Sequence, residues 1–245
     1  MSYRDWLVAT VVSTERQTPT ARSIVLDVPG FGGSTAGQHV DIRLTAPDGY
    51  QAARAYSLAS TGPGDRIELA VDLIETGEVS PYLVTELEPG DQFEVRGPLG
   101  RWFVWAPERE PGATRPLQLV AGGSGVVPLM AMIRAHRAAE SPAPMRLLYS
   151  VRGPDDVFFA GELRQAAESG ALDLTLAYTR VTPPGWPRPA GRISAEFVAE
   201  VTASAAENPA LFVCGPNGFV SAAADHLIAA GHDPRTIKTE RFGGA

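Results

Sequence analysis

The residues Leu117-Gln118-Leu119-Val120-Ala121-Gly122-Gly123-Ser124-Gly125-Val126-Val127-Pro128 carry the clearest architectural signal in the chain. Leu117–Ala121 is too short for a helix and reads as a buried strand, and an apolar helical pattern follows the glycines to about Ala139. A buried strand running through glycines into a helix is the opening unit of a parallel α/β sheet covered on both faces. Glycines at that bend let the backbone come close to a pyrophosphate, while the helix N-terminus offers N–H donors and a favourable dipole. Pro128 fits the first helical turn, where its missing N–H costs nothing. The spacing is not G-x-G-x-x-G, and the same residues would also serve a tight strand–helix turn with no ligand.

Downstream the alternation continues. Strands are expected at Met145–Val151, Leu172–Tyr178, Leu211–Cys214 and Ile237–Glu240, and helices at Ala160–Ser169, Ser194–Val201 and Phe219–Ala230, the last ended by Gly231. The proline-rich stretch 183–189 reads as a loop. Upstream the rhythm is different. Val8–Thr14, Ser23–Val28, Gln38–Leu44, Arg54–Ala59, Arg66–Leu73 and Gln92–Arg96 are short β-branched or alternating runs separated by turn residues such as Pro47-Asp48-Gly49 and Pro89-Gly90-Asp91. Six such strands predict a closed antiparallel Greek-key barrel, which leaves no edge exposed. One helical stretch, Ser80–Leu87, interrupts them, with Ser80 placed to cap it and Pro81 at its first position. The expected fold is therefore a six-stranded barrel over 1–107, a polar linker over 108–116, and a five-stranded parallel doubly wound α/β domain over 117–245.

Composition narrows the function classes. The 245 residues carry a formal net charge of −7, which argues against nucleic acid. No apolar run is long enough to span a membrane, and the N-terminus lacks the apolar core of a signal peptide, so a cytoplasmic location is the expectation. Cys214 is the single cysteine, so no internal disulfide and no four-thiolate iron–sulfur cluster can be built. The four histidines, His39, His136, His226 and His232, lie in separate segments without ligand spacing, and no metal site is expected. Lys238 is the only lysine, and the arginines that replace it suit bidentate phosphate contacts.

About 70 residues before the glycine turn stands Arg54-Ala55-Tyr56-Ser57. It reads either as a plain alternating strand or as a flavin grip. In the second reading Arg54 meets a phosphate, Tyr56 lays its ring on a planar heterocycle, and Ser57 offers a hydroxyl to a ring nitrogen. The order barrel, Arg54-Ala55-Tyr56-Ser57, Gly77-Glu78-Val79-Ser80-Pro81-Tyr82-Leu83, Gly97-Pro98-Leu99-Gly100, Gly122–Pro128, Cys214-Gly215-Pro216 and Glu240-Arg241-Phe242 resembles the ferredoxin–NADP reductase superfamily across nearly the whole chain. It is most similar to the reductase modules that serve bacterial oxygenases and ferredoxins.

The resemblance implies FAD and a nicotinamide nucleotide as cofactors. Arg54, Ala55, Tyr56 and Ser57 would bind the flavin, with Ser57 near its N5, while Gly77, Val79 and Ser80 would take FAD phosphate. Gly122, Gly123, Ser124 and Gly125 would cradle the dinucleotide, and Cys214, Gly215 and Pro216 would lie beside the nicotinamide. Glu240 and Phe242 would face the flavin from the chain end, so that Ser57, Cys214 and Glu240 form the catalytic set. Read without the family, Cys214 is a core residue and the chain end a frayed tail. Three departures stand out: Val127 replaces a frequent Thr or Ala, His39 replaces a frequent aromatic, and no acidic residue marks the end of the second parallel strand. Arg152, Thr179 and Arg180 follow the second and third parallel strands and would favour the 2′-phosphate of NADPH, with NADH as the alternative. The expected partner is a separate ferredoxin or oxygenase component accepting single electrons, with no nucleic acid and no membrane, and with a monomer as the default state. A free-flavin or quinone reductase is the second reading, and a non-catalytic nucleotide-binding sensor or partner subunit the third.

Overall fold

The computed structural model describes residues 5–107 and 115–243. In the first part, strands β1 (Leu7–Thr18), β2 (Ala21–Asp27), β3 (His39–Thr45), β4 (Gln51–Ser57), β5 (Arg66–Asp72) and β6 (Gln92–Leu99) form one antiparallel sheet in the order β4-β3-β6-β1-β2-β5. Placing β6 between β1 and β3 makes the Greek-key crossing. Just past β4, Leu58 bridges Leu69, and the Ala59 N–H donates to the Glu68 carbonyl at 2.8 Å. That join brings the two edge strands together and closes the barrel, removing the unpaired edges a six-stranded sheet would otherwise present.

Period-two alternation fills the interior. Val11, Ile24, Leu26, Val40, Ile42, Ile67, Leu69 and Val95 are buried in one cluster. Outside, between β3 and β6, Arg43 pairs with Glu94 and Arg96 with Asp41, and the Trp6 ring lies 4.3 and 4.7 Å from the two guanidinium carbons. The helical stretch expected at Ser80–Leu87 contains a π-helical turn, Tyr82–Glu86, and Ser80 does not cap it. Its hydroxyl instead accepts from the Ile74 N–H at 3.0 Å, a donor presented by the preceding turn.

The second part is a parallel sheet of β7 (Leu117–Gly122), β8 (Met145–Val151), β9 (Asp173–Tyr178), β10 (Ala210–Pro216) and β11 (Ile237–Phe242), ordered β11-β10-β7-β8-β9. Helices α1 (Val126–Ala138) and α2 (Ala160–Glu168) share a buried cluster with one face of the sheet. Helices α3 (Ala195–Val201) and α4 (Asn217–Ala229) share the cluster of the other face. β7 is buried along its whole length, as a central strand covered on both sides must be. Ser194 caps α3 by accepting from the Phe197 N–H, and α4 ends where the His232 N–H reaches the Leu227 carbonyl across Gly231. Residues 237–242 pair with β10 as the expected strand rather than fraying as a tail.

Ala21, Ala36, Ala59 and Ala70 of the barrel belong to the same buried cluster as α1 and α2. Small side chains on this seam let barrel and sheet approach closely. Most of the linker expected at 108–116 lies outside the described residues. Arg115 within it donates to the carbonyls of Asn208 and Pro209.

Candidate active site

In the second sheet the strand order reverses between β7 and β10, and the C-terminal ends of these two strands form the crevice where open α/β sheets bind ligands. β7 delivers Gly122 into a 3₁₀ turn, Gly123–Gly125, and α1 starts directly after it. Gly125 lies so close to β10 that a Cβ there would stand 2.2 Å from the Cys214 carbonyl oxygen. Gly123 has φ +54°, with open space where a side chain would project. Neither α1 nor α4 has a side chain capping its N-terminus, and both begin at this crevice. A bare backbone loop with two uncapped helix starts fits a dinucleotide pyrophosphate.

The catalytic candidates converge on this crevice. Cys214 on β10 is in register with Glu240 on β11, and the Ser57 hydroxyl, at the end of β4, donates to Glu240 Oε1 at 3.1 Å. That bond joins barrel and sheet across 183 positions of sequence. Burial pushes the Glu240 carboxyl above its ordinary range, partly offset by the Ser57 hydrogen bond. Burial, reinforced by the Glu240 charge, also pushes the Cys214 thiol up, so Cys214 is no thiolate nucleophile at neutral pH. Across β3–β4, His39 pairs with Ser57, its ring against Gly100, and burial lowers its pKa. Gly215 is buried beside Cys214, while Pro216 and Phe242, partners in the β10–β11 register, are exposed at the rim.

A second group sits on the barrel. Arg54 is exposed and pairs with Glu78, whose other oxygen accepts from the Tyr50 hydroxyl. Glu78 lies in the Gly77–Ser80 segment, so Arg54 and that segment share one patch of surface. Val79 and Ser80 are buried there, and the Ser80 hydroxyl lies 3.0 Å from where a Gly77 Cβ would be. Ala55 is exposed, while Tyr56 packs partly against the barrel core, and burial pushes its phenol up to about 12. An exposed guanidinium next to a half-buried aromatic ring and the Ser57 hydroxyl fits the diphosphate and ring of a flavin.

A third group lies at the ends of β8 and β9. The Arg180 N–H donates to the Arg152 carbonyl at 2.9 Å and the Thr179 N–H to Val151, so the two arginines are neighbours, both exposed. Arg152 is also within electrostatic range of Asp72 on the barrel. Val127, in the first turn of α1, is buried in the core. Sequence reading alone does not single out Phe219, whose ring would stand 2.6 Å from a Cβ added at Gly122 and so packs against the turn, nor Glu78 as the partner of Arg54. Glu78 stood inside a named motif, but a charge pair across 24 positions leaves no local pattern.

Residues 10–104 match the model of an oxidoreductase FAD-binding domain, and residues 119–225 that of an oxidoreductase NAD-binding domain. The chain is 35% identical over 192 residues to ferredoxin–NADP reductase B of Sorangium cellulosum, covering 76% of this chain and 75% of that one. It is 30% identical over 242 residues to the ferredoxin reductase component of 3-ketosteroid-9-alpha-monooxygenase from Mycolicibacterium smegmatis, covering 95% of this chain and 64% of the relative's length. Among solved structures, an Amycolatopsis cytochrome P450 reductase superposes with a TM-score of 0.81 at 26% identity, over 97% of this chain and 70% of that one. The FAD/NAD-binding domain of a Vibrio cholerae nitric oxide dioxygenase shares the fold, with a TM-score of 0.80 at 23% identity over 98% and 100% of the two chains. Barrel, parallel sheet and the two matched domains together place this chain in the ferredoxin–NADP reductase superfamily of FAD- and NAD(P)H-dependent oxidoreductases.

Proposed function

We propose that the protein is an FAD-dependent NAD(P)H reductase that passes electrons to a separate one-electron acceptor, a ferredoxin or an oxygenase component. In this reading residues 1–107 hold FAD and residues 117–245 hold the nucleotide. The carrying observation is the Ser57–Glu240 bond, which brings the flavin-binding candidate of the barrel to Cys214 and the glycine turn of the sheet. Held by Arg54, Tyr56 and Ser57, FAD would supply hydride acceptance from a nicotinamide and single-electron release to the acceptor.

The chain's own residues orient and shield. Arg54 and the backbone of Gly77–Ser80 hold phosphate at the barrel surface, and Tyr56 supports one face of the ring. Ser57 offers its hydroxyl at the crevice, and Glu240 holds that hydroxyl in place. Gly122–Gly125 carry the nucleotide diphosphate, the neutral Cys214 thiol lies beside the nicotinamide end, and Phe242 faces the flavin from the rim. No His/Asp acid–base pair is needed for a hydride step. The named relatives include ferredoxin-linked reductases, which supports a protein acceptor over a free flavin or quinone. Arg152 and Arg180, neighbours along the backbone and both exposed, favour NADPH, since a guanidinium suits bidentate contact with a 2′-phosphate.

Anaerobic titration of the FAD-loaded protein with each nucleotide tests the reading. The flavin band should bleach, at lower concentrations of NADPH than of NADH, and re-oxidise when a ferredoxin is added. Bleaching by neither nucleotide rules out hydride transfer, and re-oxidation by free FMN with no gain from any ferredoxin would favour the free-flavin alternative.

A further inference from the structure

The seam between barrel and sheet contains a charged knot centred on Arg134 of α1. Its Nη1 donates to the Ala59 carbonyl at 3.0 Å and to Glu68 Oε2 at 2.6 Å, both on the barrel. Its Nε and Nη2 donate to the carboxylate of Glu162 on α2 at 3.0 and 2.7 Å, and the Phe159 ring lies 5.1 Å from the guanidinium carbon. Only 25% of the Arg134 side chain reaches solvent. Burying such a cluster costs desolvation, so it is weak evidence for stability and stronger evidence for a defined geometry.

What the knot touches is specific. Ala59 lies two positions beyond Ser57, on the chain that leaves β4. Glu68 is on β5, the barrel strand that runs beside the glycine turn. Arg134 is on the helix that starts from that turn. One planar fork therefore links the strand end carrying the flavin candidate to the helix carrying the nucleotide candidate.

We propose that Arg134 is a positioning residue that sets the separation and angle between the flavin-bearing strand end and the nucleotide-bearing glycine turn. The proposal rests on the flavin–nicotinamide reading above. A guanidinium suits this role because its donors have fixed directions and reach three acceptors at once, which a lysine ammonium on a flexible stem does not reproduce. Hydride transfer is sensitive to such placement, since a shift of about 1 Å can cost on the order of 100-fold in rate.

Arg134→Met alone leaves two carboxylates facing each other, so the test pairs it with the neutralised variant Arg134→Met/Glu68→Gln/Glu162→Gln and with Arg134→Lys. In anaerobic stopped-flow with FAD-loaded protein, both Met variants should lower the limiting rate of flavin bleaching about tenfold or more, with FAD content intact and apparent nucleotide affinity within about twofold. Arg134→Lys should fall between them and the parent. A second readout needs no turnover. Cys214, the only cysteine and fully buried, should be labelled by a small maleimide about tenfold faster in the Met variants, because a loosened seam uncovers it more often. Variants that merely unfold more easily, but bleach and label like the parent at a temperature where all are folded, overturn the positioning role. Parent protein that bleaches with neither nucleotide overturns instead the reading on which the role depends.

Discussion

Arg54 and Glu240 show how one residue's surroundings set its chemistry. Arg54 stands exposed, and its guanidinium is engaged by Glu78, so a phosphate arriving there displaces a carboxylate of like charge. Removing the arginine deletes charge-assisted bonds and leaves Glu78 to repel the ligand. Arg54→Ala should weaken FAD binding by about 1.5–3 kcal/mol, roughly 10- to 100-fold, while nucleotide affinity changes little; FAD retained on dialysis and nucleotide titration measure the two separately, and equal loss of both would count against placing Arg54 on the flavin. Glu240 is the converse case, a carboxyl that burial drives toward its neutral form. Its folded pKa lies above the ordinary 4.5, so its favourable contribution to stability is complete below that value and is lost as pH rises through the folded pKa. Glu240→Gln, which keeps an acceptor for Ser57, should match the parent in acid and exceed it in stability by a margin that grows toward neutral pH. Denaturant midpoints across pH check this, and a Gln variant less stable at pH 7 would contradict it.

At the level of elements, the glycine turn is where tight packing falls on the proposed nucleotide site. Its shape is set by the approach of Gly125 to the β10 backbone, which no rotamer change can relieve. Gly125→Ala should destabilise the fold by about 1–3 kcal/mol or more and weaken nucleotide binding, whereas Gly161→Ala, exposed in α2 with nothing nearby, should stabilise it by about 0.5–1 kcal/mol. Paired urea melts decide this, and a neutral Gly125→Ala would mean the turn tolerates more room than its geometry allows. This turn was legible in sequence because strand, glycines and helix are consecutive. The Ser80–Leu87 stretch was only half legible. A serine before a proline has the pattern of a helix cap, yet the Ile74 N–H, presented by the preceding turn, takes the hydroxyl. Local pattern names the candidates for a hydrogen bond, and tertiary placement picks among them.

In the whole molecule, barrel and sheet meet along a seam of small residues. Ala59 sits fully buried there, and Ala59→Leu should cost about 1–3 kcal/mol and slow flavin bleaching by forcing the two layers apart; a denaturant midpoint and a bleaching rate both equal to the parent's would show that the seam has slack. The order of strands and helices, the change from period-two to helical rhythm, the glycine turn and the chemistry of the candidate side chains were all carried by the sequence, because each depends on residues close together along the chain. The pairing order of the strands, the choice of Leu58 and Leu69 as the place where the barrel closes, the hydrogen bond between Ser57 and Glu240 and the Arg134 knot exist only once the layers have packed. A strand's alternation states which face is buried but not which neighbour it pairs with, and a buried charge finds its partners only once the layers that carry them have packed.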